Sequence, residues 1–269
     1  MKYFSEDGRR IPSAGMRVFS QNKTNYYKFK WEQVNFEKIH ANLIKYANIG
    51  TGMSSAEFTK RAKSLYKSIQ NNRDYSNITN GFAIPFIMPI LKNTENIGSL
   101  LEGQYLPFLQ NAFEDKYNNS KFKAVLQGQS KLIDKVEIEP NSNNDRLIKQ
   151  CLTKEIICWL FPEAFSGYDI YSQRKQIQTL PLSEEFRICL SGGIDIVSAA
   201  IGTPSLFINE NDYAPIICMS GYIHKDPRLV MLLKAYGPHL EFWCMSQMLS
   251  PTVTQVSEQW TGSLTVFEA

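Results

Sequence analysis

The last third of the chain, from Phe186 onward, alternates short apolar runs with turn residues, and this alternation constrains the possible folds more than any other feature. The runs FRICL, PSLFI, APIICMS, LEFWCM and SLTVF are short and rich in β-branched or aromatic residues, which is typical of strands. Between them, IDIVSAAIG is predicted to be a helix. Strands that alternate with helices favour a mixed, partly parallel sheet, so the predicted fold class is α/β or α+β.

A second helix is predicted within this third, over residues 227–236, because signals for both of its ends are present. Asp226 can cap it, Pro227 suits the first helical position, and Gly237 follows the last turn. We expect this helix to pack on one face of a sheet formed by residues 186–267. The side chains expected to be buried there are Leu229, Leu232, Leu233 and Tyr236.

The N-terminal half is predicted to be mostly helical, after an extended arm of about thirty residues. FEKIHANLIKYANIG and the segment from Ser54 to QNNRD carry apolar residues at helical spacing, as does SLLEGQYLPFLQNAFEDKY, in which Pro107 must kink the helix or start a new one. Two prolines in FAIPFIMPIL exclude a regular central strand and indicate an edge strand or a buried extended connector. KFKAVLQ alternates like a strand.

The polar stretch IEPNSNND, between Ile138 and Asp145, is the best candidate for a boundary within the chain. It separates a mostly helical region, residues 1–140, from an α/β region, residues 141–269, and we expect the two to pack together as one compact unit. Directly after the boundary, DRLIKQCLTKEIICWLF is predicted to be one long helix capped by Asp145. YDIYSQRKQIQTL is predicted to form a further helix.

The turn in ICLSGGIDIVSAAIGTPSLFI is the one candidate ligand site of this α/β region. A strand that runs through a glycine pair into a helix leaves the first N–H groups of that helix free to bind a phosphate or carboxylate. The candidate ligand-binding residues are therefore Ser191, Gly192, Gly193 and Asp195. The alternative is that the glycines only allow a sharp turn, with Asp195 serving the first turn of the helix.

Three other residues are candidates for the same site. Arg174 could clamp an anion near the glycine pair, although a solvated helix face would explain it equally. Asp212 follows a predicted strand end, where open α/β sheets bind ligands, but NEND is also ordinary turn chemistry. His224 with Asp226 could orient a base; because no third ligand is evident, no metal site is predicted.

Two resemblances concern this corner. LSGGID resembles the phosphate loop of the ATP pyrophosphatase family, whose pattern is SGGxDS, although Ile196 stands where that family has its second serine. SGGIDIVSAAIGTPSLFIN is similar to the nucleotide-sugar-facing corner of GT-B glycosyltransferases, in which a short helix ends in G-x-P before a strand. Both resemblances imply a phosphate-bearing ligand at the glycine pair. Each covers too little of the chain to assign a family.

Net charge, cysteine spacing and hydropathy limit which cellular compartment and which class of partner can be predicted. The formal charge is +3 without a basic cluster, which argues against nucleic acid. Five cysteines without CxxC spacing indicate reduced thiols, and no apolar run is long enough for a secretory signal or a membrane span. A cytoplasmic protein is expected, with export by a non-cleaved signal left open.

Function is predicted from what the sequence lacks as well as from its composition. No G-x-S-x-G, H-E-x-x-H, Walker or G-x-G-x-x-G motif occurs, while aromatics reach 12% and charged residues only 20%. We predict a soluble, non-catalytic interaction or assembly protein without a cofactor, which binds a protein partner or itself, with Trp260 as a candidate interface residue. The alternative is an enzyme or sensor that binds a nucleotide, sugar phosphate or other anion at Ser191–Gly193.

Overall fold

The computed structural model of the chain describes residues 2–16, 18, 27, 29, 33–92, 95–117, 121–126, 131–207, 213–236, 239–246 and 259–269. These residues form two principal β-sheets, with helices packed mainly against the smaller of the two. The fold class predicted from the sequence, mixed α/β with a mostly helical N-terminal half and a strand-rich C-terminal region, is confirmed.

The helices begin where side chains can cap them. Asn35, Ser54, Ser142 and Asp169 each accept a hydrogen bond from a backbone N–H in the first turn of the helix that follows. The helices are α1 Phe36–Ala47, α2 Ser55–Asn71, α3 Ile97–Leu100, α4 Leu106–Lys116, α5 Asn143–Gln150, α6 Ile170–Ile177 and α7 Gly193–Gly202. A π-helical turn, Leu101–Tyr105, joins α3 to α4, and short 3₁₀ helices cover Ser76–Asn80 and Pro204–Phe207.

The strands make two larger sheets and one two-stranded sheet. The strands are β1 Ile84–Met88, β2 Lys121–Leu126, β3 Val136–Glu137, β4 Ile156–Phe161, β5 Phe186–Leu190, β6 Ile216–Cys218, β7 Ile223–His224, β8 Leu229–Tyr236, β9 His239–Ser246, β10 Trp260–Gly262 and β11 Leu264–Glu268. The strand orders are β1-β4-β11-β5, β10-β6-β8-β9-β2 and β3-β7.

The four-stranded sheet is antiparallel and forms the centre of the molecule. Its strand β4 is buried along its whole length, because helices α2 and α7 both pack on it. On the α2 side, the Trp159 indole donates a hydrogen bond to the Ala62 carbonyl at 2.8 Å. Helix α7 packs across β1 and β4. The proline-containing β1 lies at an edge of this sheet, as the sequence predicts. At the other edge, the side-chain amides of Asn143 and Asn144 donate to β5 carbonyls.

The five-stranded sheet is mixed. Its β10–β6 and β2–β9 pairs are parallel and the remaining pairs antiparallel. Strand β10 continues through Ser263 into β11 of the first sheet, so one chain segment belongs to both. Strands β1 and β2, from the N-terminal half, pair with strands of the C-terminal half, while the division of the chain at residue 140 stays a prediction.

The predicted helix over residues 227–236 is wrong, since Leu229–Tyr236 is strand β8 between β6 and β9. Both faces of β8 are apolar and covered: Leu233 is fully buried on one face and Leu232 on the other. A short apolar run of this kind is compatible with a buried strand or a buried helix, and only the pairing partners decide. Asp226, taken as a helix cap, accepts a hydrogen bond from the Arg228 N–H in the turn before β8.

Two further predictions are corrected. The single helix expected from Asp145 through ICWLF is instead α5, capped by Ser142, followed by a turn and strand β4. IICWLF is rich in β-branched and aromatic side chains, which suit a strand enclosed on both faces. PSLFI, expected to be a strand, begins with the 3₁₀ helix Pro204–Phe207. The expected single sheet over residues 186–267 is divided between the two sheets.

Candidate functional site

Helix α7, which follows the glycine pair, is buried at every one of its ten residues. It lies between α1, α4 and strands β1 and β4. A helix that is apolar on all sides belongs in the interior, but its first N–H groups then cannot reach water and need partners from the protein.

Asp195 supplies these partners at the start of α7. Its carboxylate accepts a hydrogen bond from the Thr265 hydroxyl at 2.7 Å and faces the backbone N–H groups of Gly192, Asp195 and Ile196, which stabilise its charged form. An acid at the third helical position that reaches back to the capping residue is half of a capping box. Burial raises the pKa of Asp195 above its usual range, and the hydrogen bonds oppose that rise.

Tyr222 closes the outside of the same corner. A Cβ atom added at Gly192 would lie 2.1 Å from the Tyr222 ring, so the ring fills the space that an anion would need. The Ile194 N–H points at the Tyr222 hydroxyl at 3.5 Å. On the inner side, the Ser191 hydroxyl contacts the Thr265 hydroxyl at 2.9 Å. Ser191, Gly192, Gly193 and Asp195 are thus brought together in one network that is sealed from solvent.

The other candidates for this site have different surroundings. Arg174 contacts the backbone on either side of Gly221: its Nε donates to Ser220 O at 3.0 Å and its Nη2 to Tyr222 O at 2.8 Å. His224 lies on β7, where its Nδ1 accepts from the Asp226 N–H at 2.9 Å. Its Nε2 is buried without a hydrogen-bond partner in the described part of the chain. Asp212 lies outside the described residues.

A cleft of about 420 Å³ lies beside this corner, and the sequence gives no local sign of it. It is bounded by the loop before α5, the C-terminal half of α6 with the segment after it, strand β5, and residues 220–223. Arg146, Arg174 and Arg187 all line it. They come from three different elements, so only the tertiary structure brings them together. We call this site the arginine cleft.

One face of the five-stranded sheet carries partly exposed apolar side chains. We call it the tryptophan face: Ile216, Trp243, Met245 and Trp260, which pack over buried Ile170, Cys218, Val230 and Leu232. The Trp243 ring is held from two sides, with Lys234 Nζ 4.1 Å from its centroid and Glu241 Oε2 accepting from its Nε1 at 2.7 Å. Trp260, the interface candidate of the sequence, is therefore joined by a second indole on the same face.

All five cysteines are buried and free, in agreement with the unpaired thiols predicted from their spacing. Burial raises the pKa of each thiol, to about 11 for Cys244 and to about 12 for Cys218. A raised pKa keeps these thiols protonated near neutral pH, and because only the thiolate is a good nucleophile, none of the five is activated for nucleophilic attack.

We therefore expect the folded protein to react with Ellman's reagent only as fast as it unfolds. After unfolding in guanidinium chloride, five equivalents should react within minutes, because the thiols are then exposed at their ordinary pKa. A native thiol that reacts at the rate of a free peptide cysteine would contradict this arrangement.

The described residues hold no candidate metal cluster and no candidate membrane span. Among them, no group of three or more His, Cys, Asp or Glu side chains is placed to hold a metal ion. None of the helices found in that part of the chain combines the length and the hydropathy needed to cross a bilayer.

Comparison of the chain with profiles of known protein families, with curated proteins and with solved structures yields no match.

Proposed function

We propose that the protein is a non-catalytic interaction protein that associates through the tryptophan face. The observation that carries this proposal is the placement of Trp243 and Trp260, both partly exposed, on one face of the five-stranded sheet. Tryptophan side chains bury a large, rigid area and are enriched among the residues that dominate binding energy.

The geometry of the face favours binding because part of it is already ordered. Lys234 and Glu241 hold the Trp243 indole, so less side-chain freedom would be lost when a partner covers it. Lys234 and Glu241 also pair with each other, with Nζ and Oε2 3.4 Å apart. The face thus carries balanced charge, and a second copy of the chain could pack on it without repulsion between like charges.

The corner at α7 supports a non-catalytic role. Catalysis near neutral pH needs a nucleophile, acid or base that can reach a substrate. Asp195 and Tyr222 are the titratable groups at this corner, and both are enclosed. Their hydrogen bonds go to the first turn of α7 and to Thr265, so we assign the corner a structural role rather than ligand binding.

The Trp260→Lys variant is expected to lose self-association, because a charge replaces an apolar anchor at the contact. Light scattering of the wild type at rising concentration should approach twice the monomer mass of 30.8 kDa. A hot-spot residue contributes about 2 kcal/mol or more, so the dissociation constant should rise roughly thirtyfold or more in the variant.

The matched control is Ile90→Lys, which places the same charge at an apolar side chain that is 51% exposed elsewhere on the surface. This control should associate like the wild type. Wild-type protein that stays monomeric at 100-micromolar-scale concentrations, or equal masses for Trp260→Lys and wild type, would refute self-association through this face.

A further inference from the structure

We infer that the arginine cleft binds a small organic phosphate, with the phosphate on the arginines and an apolar or aromatic body against the wall formed by α6 and β5. This inference is independent of the tryptophan face. It places a ligand beside the glycine corner rather than on it, and only Arg174 is shared with the site predicted from the sequence.

The charges in the cleft are unbalanced. Arg146, Arg174 and Arg187 line it together with a single carboxylate, Glu139. Within the described ranges, none of the three arginines forms a salt bridge, whereas Arg9, Arg61 and Arg228 each do. Anions are therefore the ligands that the cleft attracts, and guanidinium groups match the oxygens of phosphate with paired hydrogen bonds.

Arg174 is the strongest evidence that the cleft binds an anion, because its side chain is partly buried. Its side chain is fixed by the Ser220 and Tyr222 carbonyls, which accept hydrogen bonds but leave its positive charge without a counterion. Glu139 is the carboxylate that acts on its charge, yet the two form no salt bridge. A partly buried cation without a counterion is unfavourable, and a bound anion would supply the missing charge.

The apolar side chains that line the cleft indicate which kind of organic group carries the phosphate. Ile177, Leu180 and Ile188 line the cleft, and Leu182 at its rim is 85% exposed. A volume of about 420 Å³ lies within the usual range for small-molecule sites. Aromatic or aliphatic phosphomonoesters combine the charge and the apolar surface that these walls require.

Strand β5 argues against an extended peptide as the ligand. A peptide that adds to a sheet edge needs free carbonyls on that edge. The carbonyls of Ile188 and Leu190 already accept from the side-chain amides of Asn143 and Asn144, at 2.7 and 2.8 Å. The edge that faces the cleft is therefore closed to strand addition.

Binding is tested with phenyl phosphate and AMP as probes, on the full chain, by calorimetric titration and by melting temperature. Both probes should bind and raise the melting temperature of the wild type, whereas phenol and adenosine, which lack the phosphate, should not. Arg146→Gln should weaken binding by at least about tenfold, because a charge-assisted contact is lost. Arg146 is exposed and forms no described salt bridge, so this variant should fold normally.

The matched control is Arg73→Gln, an exposed arginine outside the cleft, which should bind like the wild type. Absence of binding at millimolar probe, or equal binding by Arg146→Gln and wild type, would overturn the inference. Benzoate that binds as well as phenyl phosphate would overturn the assignment to phosphate. Trp260→Lys should bind both probes normally, so this test and the association test can fail separately.

Discussion

Replacement of Asp195 by alanine is expected to lower the free energy of unfolding by about 3–5 kcal/mol. The carboxylate accepts from the Thr265 hydroxyl and faces three backbone N–H groups at the start of α7, all of them buried. Alanine leaves these donors without partners in a place that water does not reach. Denaturant unfolding, monitored by tryptophan fluorescence, measures the loss.

The control for this prediction is Asp195→Asn, which keeps the shape but offers one acceptor oxygen in place of two. Its loss should be smaller than that of Asp195→Ala. If Asp195→Ala unfolds within about 1 kcal/mol of the wild type, the carboxylate does not hold the start of α7, and the structural role assigned to this corner is wrong.

The difference in unfolding free energy between the wild type and Asp195→Asn should depend on pH, and the sign of that dependence can be derived. In the unfolded chain the Asp195 carboxyl titrates near the ordinary value of about 3.9, while burial raises its pKa in the folded state. Between these values the folded state keeps a proton that the unfolded state has released, so stability falls as the pH rises. The stability advantage of wild type over Asp195→Asn should therefore shrink as the pH rises above about 4. An advantage that grows instead would show that the folded-state pKa is depressed.

Gly192→Ala is expected to lower the free energy of unfolding by about 3 kcal/mol, the upper end of the usual range for overpacking. The backbone at Gly192, with φ −99° and ψ −157°, is open to any residue, so the penalty is steric. The added Cβ would lie 2.1 Å from the Tyr222 ring, which has no room to move inside the core. Thermal or denaturant unfolding gives the size of the loss.

Two variants test whether this clash is the cause. Gly103→Ala adds the same methyl group at an exposed glycine with nothing within 4 Å, and it should be neutral or slightly stabilising. Tyr222→Ala combined with Gly192→Ala should cost less than the sum of the two single changes, by about 2 kcal/mol. Strict additivity would mean that the ring is not what excludes a side chain at Gly192.

The sequence by itself determined the elements whose signals are local. The run IDIVSAAIG forms α7, and FRICL, LEFWCM and SLTVF form strands, as their length, residue types and flanking turn residues predict. The alternative role considered for Asp195, in the first turn of the helix, also follows from local chemistry, since an acid three residues after a capping position can reach back to the N–H groups of the first turn.

Only the tertiary structure decided the rest. Residues 227–236 carry helix signals, yet Leu229–Tyr236 forms β8 because β6 and β9 supply the hydrogen bonds that a lone segment would make internally. Tyr222 covers Gly192 from thirty residues away, and the three cleft arginines come from α5, α6 and β5. Contacts between distant segments depend on how the sheets and helices pack, and periodicity within one segment carries no information about its neighbours in space.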